Sequence, residues 1–450
     1  MTQSAGGEAT QSMRTEFFEL VELLCSELRA NEALLCNLSG ESSDFVRFNH
    51  ARVRQAGTVD QRYLNLRLVR DNRQASATIA LAGDGGDLAL SRSMLAKLRD
   101  VLGQLPADPW LLYSEAVQST VSERRGALPD AEEVIRQVAR AAGDADFVGF
   151  YAAGTIARGF ANSLGQRNWH EVDTFNFDWS LHLEGDKAVK DGYAGFDWDP
   201  ALFESKLQQC AERLEIVAGP SRTLAPGEYR AYLAPHALEE VTSLLQWNAY
   251  SARARATHQS ALLRMEHGES LSAQVSLTED IAAGVAPSFQ EDGYVRPPQV
   301  PLIAAGALGE PLVSARSARE FGLKANGANA RETPEAIDMA PGALAADQVL
   351  AALDTGLYVS NLWYLNFSDK PAGRMTGMTR FATLWVENGR IAGPVTPLRF
   401  DDTLYRMLGE KLAALTSSRE LLLSTSTYDE RSTSSARLPG ALLDSLRFTL

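Results

Sequence analysis

The sequence predicts an α+β fold: an N-terminal α/β layered domain followed by a large β-rich C-terminal domain. Three observations carry this. An apolar stripe at helical spacing opens the chain (Phe17, Leu20, Val21, Leu24 and Leu28), short period-two segments follow it, and the region beyond Thr223 holds one strong helix among many strand-like runs.

After the first helix, Ala33 to Leu38, Asp44 to His50, Tyr63 to Val69 and Ala75 to Leu81 read as strands in antiparallel hairpins. Leu64, Leu66 and Leu68 alternate with polar neighbours, and Asp71-Asn72 supplies a turn. A second helix spans Ser91 to Leu105, with Met94, Leu95, Leu98, Val101, Leu102 and Leu105 facing inward and Pro106 ending it. Gly126 to Pro129 marks a boundary between an N-terminal domain over 1–126 and a middle α/β segment over 127–222 packed with it. Asp130 and Glu133 form a capping-box pattern for a helix that ends at Gly143, and Phe147 to Tyr151, Thr155 to Ala161 and Phe175 to Leu183 read as aromatic-rich strands. Asp199 before Pro200 starts another helix, because Asp accepts free N–H groups and Pro suits the first helical position.

The β-rich domain, 223–450, begins with a strand, Glu228 to Leu233, and an apolar helix. Gln274 to Leu277, Leu357 to Asn361, Arg380 to Glu387 and Ile391 to Pro394 follow as strands, with Asn388-Gly389 turning a hairpin. Ser424 to Arg437 reads as a Ser/Thr-rich surface loop before a short terminal segment.

The chain has 450 residues, 45% hydrophobic and 22% charged, which suits two or three domains with substantial cores. A formal net charge of -14 argues against nucleic-acid binding, which rests on clustered cations. Arg52, Arg54, Arg62, Arg67, Arg70 and Arg73 lie close together, but alternating apolar neighbours make them the solvated face of a sheet. The three cysteines match neither a zinc knuckle nor a disulfide framework, so a reducing compartment is expected. Met1 to Ser12 lacks a basic or apolar targeting segment, and no apolar run is long enough to span a bilayer; a soluble cytoplasmic protein is expected.

Several collinear patterns resemble the TldD/PmbA family. They are Asn162-Ser163-Leu164-Gly165, Phe196-Asp197-Trp198-Asp199-Pro200, Leu224-Ala225-Pro226-Gly227-Glu228-Tyr229, Phe289-Gln290-Glu291-Asp292-Gly293 and Trp385-Val386-Glu387-Asn388-Gly389. The resemblance implies an N-terminal α/β domain, a β-rich C-terminal domain and assembly into cytoplasmic dimers. In the family's paired system a zinc-bearing TldD subunit joins a PmbA (TldE) subunit to enclose a chamber for unfolded peptides. Catalytic members carry HExxxH on the helix after the central strand, where two histidines one turn apart bind Zn²⁺ and the Glu takes a proton from metal-bound water.

This chain departs from that motif. With Leu244-Leu245 matched to the paired leucines before the motif, Gln246, Trp247 and Ser251 take the His, Glu and His positions. With His236-Ala237-Leu238-Glu239 matched to the second histidine instead, Ala231 and Tyr232 take the first two. Neither arrangement binds a metal. The best remaining local pair is His236 with Glu240, which share a helix face and read as a helix-start hydrogen bond. No nucleophile elbow or phosphate loop is present.

The resemblance therefore implies a PmbA/TldE-like subunit of a TldD/TldE-type metallopeptidase complex. It would be non-catalytic itself, with zinc only on a TldD-like partner, and would help form a chamber for unfolded peptides or for maturation of peptide precursors. Strand edges in that chamber could pair with an extended substrate. Trp363, Tyr364, Arg374 and Arg380 are the candidates for a peptide groove or a subunit surface. Two alternatives stay open: an independent metallopeptidase that assembles a dispersed metal site, for example from His170 or His182, and a homodimeric peptide-binding or scaffolding protein. Neither nucleic acid nor membrane is an expected partner.

Overall fold

The alternation of Leu64, Leu66 and Leu68 belongs to a seven-stranded sheet whose two faces carry different partners. The structure is a computed structural model and describes residues 3–183 and 187–449. Its first elements are α1 (Gln3–Ser26), β1 (Ala33–Asn49), β2 (Arg52–Arg70), β3 (Arg73–Ala80), α2 (Gly86–Leu102), β4 (Thr120–Arg124), α3 (Ala131–Ala142), β5 (Asp146–Asn162), β6 (Arg167–His182), β7 (Ala188–Gly195) and α4 (Pro200–Ala218). The strands lie in the order β3-β2-β1-β5-β6-β4, with β7 beside β6, and all pairs are antiparallel except β4 with β6. One face of this sheet is covered by helices. At one end α1 and α2 bury Cys36, Leu38, Leu64, Leu66 and Leu68, and at the other α3 and α4 bury Val46, Tyr151, Phe175, Phe177 and Trp179. Because successive side chains alternate, the residues between these point the other way, toward the C-terminal half.

The caps follow the sequence. The Asp130 carboxylate accepts from the N–H of Glu133, and Asp199 accepts from Ala201 and Leu202 with Pro200 in the first turn. The strand breaks do not. Ala33 to Leu38 and Asp44 to His50 are parts of one 17-residue strand, as are Phe147 to Tyr151 and Thr155 to Ala161. The intervening small residues, which mimic turns in sequence, allow close approaches: a Cβ at Gly40 would stand 2.7 Å from Met13 Sδ of α1, and one at Gly154 2.2 Å from Ser42 O of β1. Val101, expected inside, is 47% exposed.

The second half adds β8 (Gly227–Leu233), α5 (Pro235–Leu245), β9 (Leu277–Asp280), β10 (Gln299–Ala304), β11 (Ala307–Leu308), β12 (Ala336–Met339), β13 (Gly356–Asp369), β14 (Arg374–Glu387), β15 (Arg390–Pro394), β16 (Arg399–Thr403), β17 (Leu412–Leu423) and β18 (Ser435–Phe448). They form an eleven-stranded sheet in the order β11-β10-β9-β12-β18-β16-β14-β13-β8, and β18 also pairs with β8, so its far end closes into a ring. Apolar α5 buries Ala237, Leu238, Val241, Leu244 and Leu245 in the core of this half. Asn388 and Gly389 take positive φ, 53° and 74°, as their hairpin turn requires. The strand expected at Gln274 begins at Leu277. The protein is thus α+β. The three cysteines are free, with Cys36 and Cys210 buried, and no helix among the described residues is long and apolar enough to cross a membrane.

The Ser/Thr-rich stretch is the main correction. Its Arg431 is buried against the first sheet, where the guanidinium donates to Ser43 Oγ (3.2 Å), Gly154 O (3.1 Å), Thr174 O (2.8 Å) and Thr174 Oγ1 (2.6 Å). Its N–H donates to Glu41 Oε2 at 3.0 Å. The supposed short terminal segment is β18, a 14-residue strand with four neighbours, β8, β12, β16 and β17. Apolar contacts continue the seam between the halves: Val285 meets Ile156 and Val172, and Phe289 meets Leu35 and Phe160. Beside them His170 Nε2 donates to Val285 O at 3.0 Å.

Two outcomes follow from this seam. Arg431→Ala strands several buried acceptors and should lower unfolding free energy by about 3 kcal/mol in urea titration. His170 is held down to about 4 by burial, against an ordinary 6.5. The unfolded chain takes up that proton near pH 6.5 and the folded chain only near 4, so stability present above 6.5 is lost as pH falls toward 4. The loss should reach about 3 kcal/mol, and His170→Gln should flatten that limb of the stability profile.

Candidate functional site

The sheet face opposite the helices floors a large cleft, about 1670 Å³. The floor is built by the polar members of the β1–β3 alternation: Asn37, Tyr63, Asn65, Arg67, Ser76 and Thr78. They share one face because Asn37 is opposite Asn65, Asn65 opposite Thr78 and Arg67 opposite Ser76. The walls come from the C-terminal half, including the end of α5 and the chain around Asp292, Glu335 and Glu430, and from Asp108, Trp110, Leu111 and Leu112 of the first half. This cleft is therefore floored by side chains of a sheet face.

Its charged residues are mostly tied to one another. Arg67 pairs with Asp292, Arg158 with Glu430 (3.1 Å), Arg296 with Glu335 (2.7 Å) and Arg316 with Asp108 (3.8 Å). Burial pushes the Arg158 pKa down, and although burial opposes it, the Arg296 guanidinium holds Glu335 below the usual carboxylate range. Of the arginine group expected on a solvated face, Arg67 is thus in the cleft, Arg62 pairs with Glu16, Arg70 with Glu32, and Arg73 donates to Leu105 O. Arg52 and Arg54 alone remain exposed.

Two of the positions matched to the metal motif, Gln246 and Trp247, line this cleft. They do not share a helix with the third. The last residue of α5 is Leu245, Asn248 takes a positive φ of 65°, and Ser251 starts the next short helix, Ala252–Ala256. The buried Ser251 hydroxyl donates to Glu332 Oε2 at 2.6 Å. In the alternative match, Ala231 and Tyr232 lie buried in β8. The residues at the family's zinc positions do not fit a zinc ion in either match, since an amide, an indole and a hydroxyl already bonded to a carboxylate offer no convergent donor set.

Among the described residues neither His170 nor His182 stands within metal-ligand distance of two further donors; Nε2 of the first bonds Val285 O, and Nε2 of the second lies 2.8 Å from Ser180 Oγ. Among the described residues one cluster has metal-ligand proximity: Asp191, His236 and Glu420, with donor atoms within 4.8 Å of each other. Its carboxylates already face cations, Lys206 and, at 3.9 Å from Asp191, Arg213. Lys206 Nζ stands 3.3 Å from Asp191 and 3.0 Å from Glu420, and these carboxylates hold its pKa up although burial would lower it. His236 thus meets partners from β7 and β17 that sequence spacing could not reveal, and no bond joins it to Glu240, whose pKa burial raises.

Trp363, Tyr364, Arg374 and Arg380 lie together on the β13–β14 hairpin, away from the cleft lining. Trp363 is 49% and Tyr364 78% exposed, and the Arg380 guanidinium covers the Trp363 ring at 4.3 Å. Tyr364 and Phe381 hold positive φ, 59° and 57°, where the β13–β14 register shifts, a strained backbone for aromatic residues. Arg374 is turned to Asp401 at 2.8 Å.

A family model described as the PmbA/TldA metallopeptidase C-terminal domain matches residues 226–450. Over 96% of its length the chain is similar to TldE from Thermococcus kodakarensis, covering all of that chain at 12% identity with a TM-score of 0.77. It is likewise similar over 96% to a candidate modulator of a DNA gyrase from Thermotoga maritima (15% identity, 100% of that chain, TM-score 0.74). A third, a candidate modulator of DNA gyrase from Bacteroides thetaiotaomicron, matches at 16% identity over 96% of this chain and 99% of that one, with a TM-score of 0.72. At such identities these likenesses show a shared fold. No curated protein matches the chain.

The Lys206 cluster gives a direct test. Lys206→Met leaves two facing carboxylates without their ammonium and should cost about 3 kcal/mol of unfolding free energy; adding Asp191→Asn and Glu420→Gln should restore most of it.

Proposed function

The chain belongs to the PmbA/TldD family, and from that premise we propose that it is a PmbA/TldE-like subunit of a TldD/TldE-type metallopeptidase complex, without hydrolytic activity of its own. The observation that carries this reading is the divergence of Gln246, Trp247 and Ser251. The first two follow α5 into the cleft, and the third caps another helix and bonds Glu332. No water could be activated there by the family's means, which requires two imidazoles and a carboxylate converging on one ion. Zinc and peptide-bond cleavage belong to a TldD-like partner in this reading. The cleft supplies part of the wall of a chamber for unfolded peptides or peptide precursors.

The hairpin supports a pairing surface. Exposed aromatic residues on a strained backbone cost stability in an isolated subunit, and burial against a partner would offset that cost. Trp363, Tyr364 and Arg380 fit that role, with Arg374 as the neighbouring cation. Free thiols support a cytoplasmic setting.

The chain purified alone should carry substoichiometric zinc and cleave no unfolded peptide. Co-expression with a TldD-like subunit should yield a heteromer by light scattering, with zinc and peptidase activity above that of the partner alone. Trp363→Ala with Tyr364→Ala should weaken assembly by about tenfold or more. Stoichiometric zinc with hydrolysis in the isolated chain would overturn the proposal.

A further inference from the structure

The charges of the cleft are largely self-neutralised, yet two large indoles on its lining are left in the open. Trp247 is 61% and Trp110 40% exposed. Trp110 has the Arg319 guanidinium over its ring at 5.4 Å, and Trp247 has no ring or cation contact among the described residues. An indole so placed has a large apolar surface in contact with water and an N–H free to donate. The floor meanwhile presents two exposed side chains with no hydrogen-bond partner among the described residues, Gln74 and Ser76. Such donors suit backbone carbonyls, which every peptide presents.

Resting on the reading of the cleft as a peptide-holding wall, we propose that Trp247 is a specificity-determining anchor: the cleft takes an extended, uncharged peptide segment and seats a large apolar or aromatic side chain against this indole, with Trp110 as a second apolar contact. The chemistry selects this class of ligand for two reasons. A charged side chain entering the cleft would have to break one of the four arginine–carboxylate pairs or settle for the exposed, well-solvated charges of Glu291, Asp429 or Arg331, where pairing adds little, whereas an apolar one removes its own surface and that of the indole from water. Sequence-tolerant bonds from the floor would hold the backbone while the indole reads the side chain. The position matched to the catalytic Glu of zinc-bearing relatives thus serves recognition in this chain.

The test uses the full chain alone and fluorescein-labelled, end-blocked hexapeptides that differ at one central position: Phe, Ala, Asp or Lys. By anisotropy the Phe peptide should bind at least about tenfold more tightly than the others, and it should shift tryptophan emission to the blue. Trp247→Ala should abolish the preference with the melting temperature unchanged, and Trp247→Phe should retain part of it. Equal affinity for the Phe and Ala peptides, no binding of any peptide, or an undiminished preference in Trp247→Ala would overturn the proposal. Assembly with a TldD-like subunit is measured separately by light scattering. A heteromer that forms without any Phe preference defeats the anchor and leaves the subunit reading standing; a preference without a heteromer does the reverse.

Discussion

Everything in this molecule is arranged around one sheet that must satisfy partners on both faces. Four helices press on one side of β1, β5 and β6, and the C-terminal half presses on the other. Because side chains alternate at period two, each strand serves both neighbours at once, and no residue of the central strands is spare. Arg431 is the polar counterpart of that constraint. It reaches across the seam to bond three strands of the sheet, so the cleft beside it has a floor and a wall held in fixed relation.

The second organising fact is how positive charge is used inside a strongly acidic chain. Lys206 stands between two carboxylates, three arginines along the cleft face acids from the opposite half, and Arg380 lies on an indole. Each of these cations is close to its counter-group before any ligand arrives. A pocket arranged in this way offers little purchase to a free metal ion or a charged substrate, and its selectivity shifts to surface that water solvates poorly.

The fold class was legible because helical stripes and alternating runs report which face of an element is buried. Leu64, Leu66 and Leu68, Asp130, Asp199 and Asn388-Gly389 all acted as those local rules require. Strand length was illegible at Gly40 and Gly154, whose missing side chains admit α1 and the β1 backbone; a glycine serving a close approach reads like a glycine serving a turn. Arg431 was hidden for the related reason that a polar stretch gives no sign of what it will be buried against. Of the site, the departure from the metal motif was visible residue by residue. The cleft floor and the Asp191–Lys206–Glu420 cluster were not, because only sheet register and the meeting of the two halves bring those groups together.

The pairing of β8 with β18 has a consequence for how the molecule comes into being. Roughly two hundred residues separate these neighbours, and β18 also lies beside β12, β16 and β17. A ribosome would expose α5, β13 and β14 long before the strand that completes their ring exists. The nascent second half must therefore wait with apolar surface uncovered, which makes it a natural client for chaperones while the first sheet is already able to form.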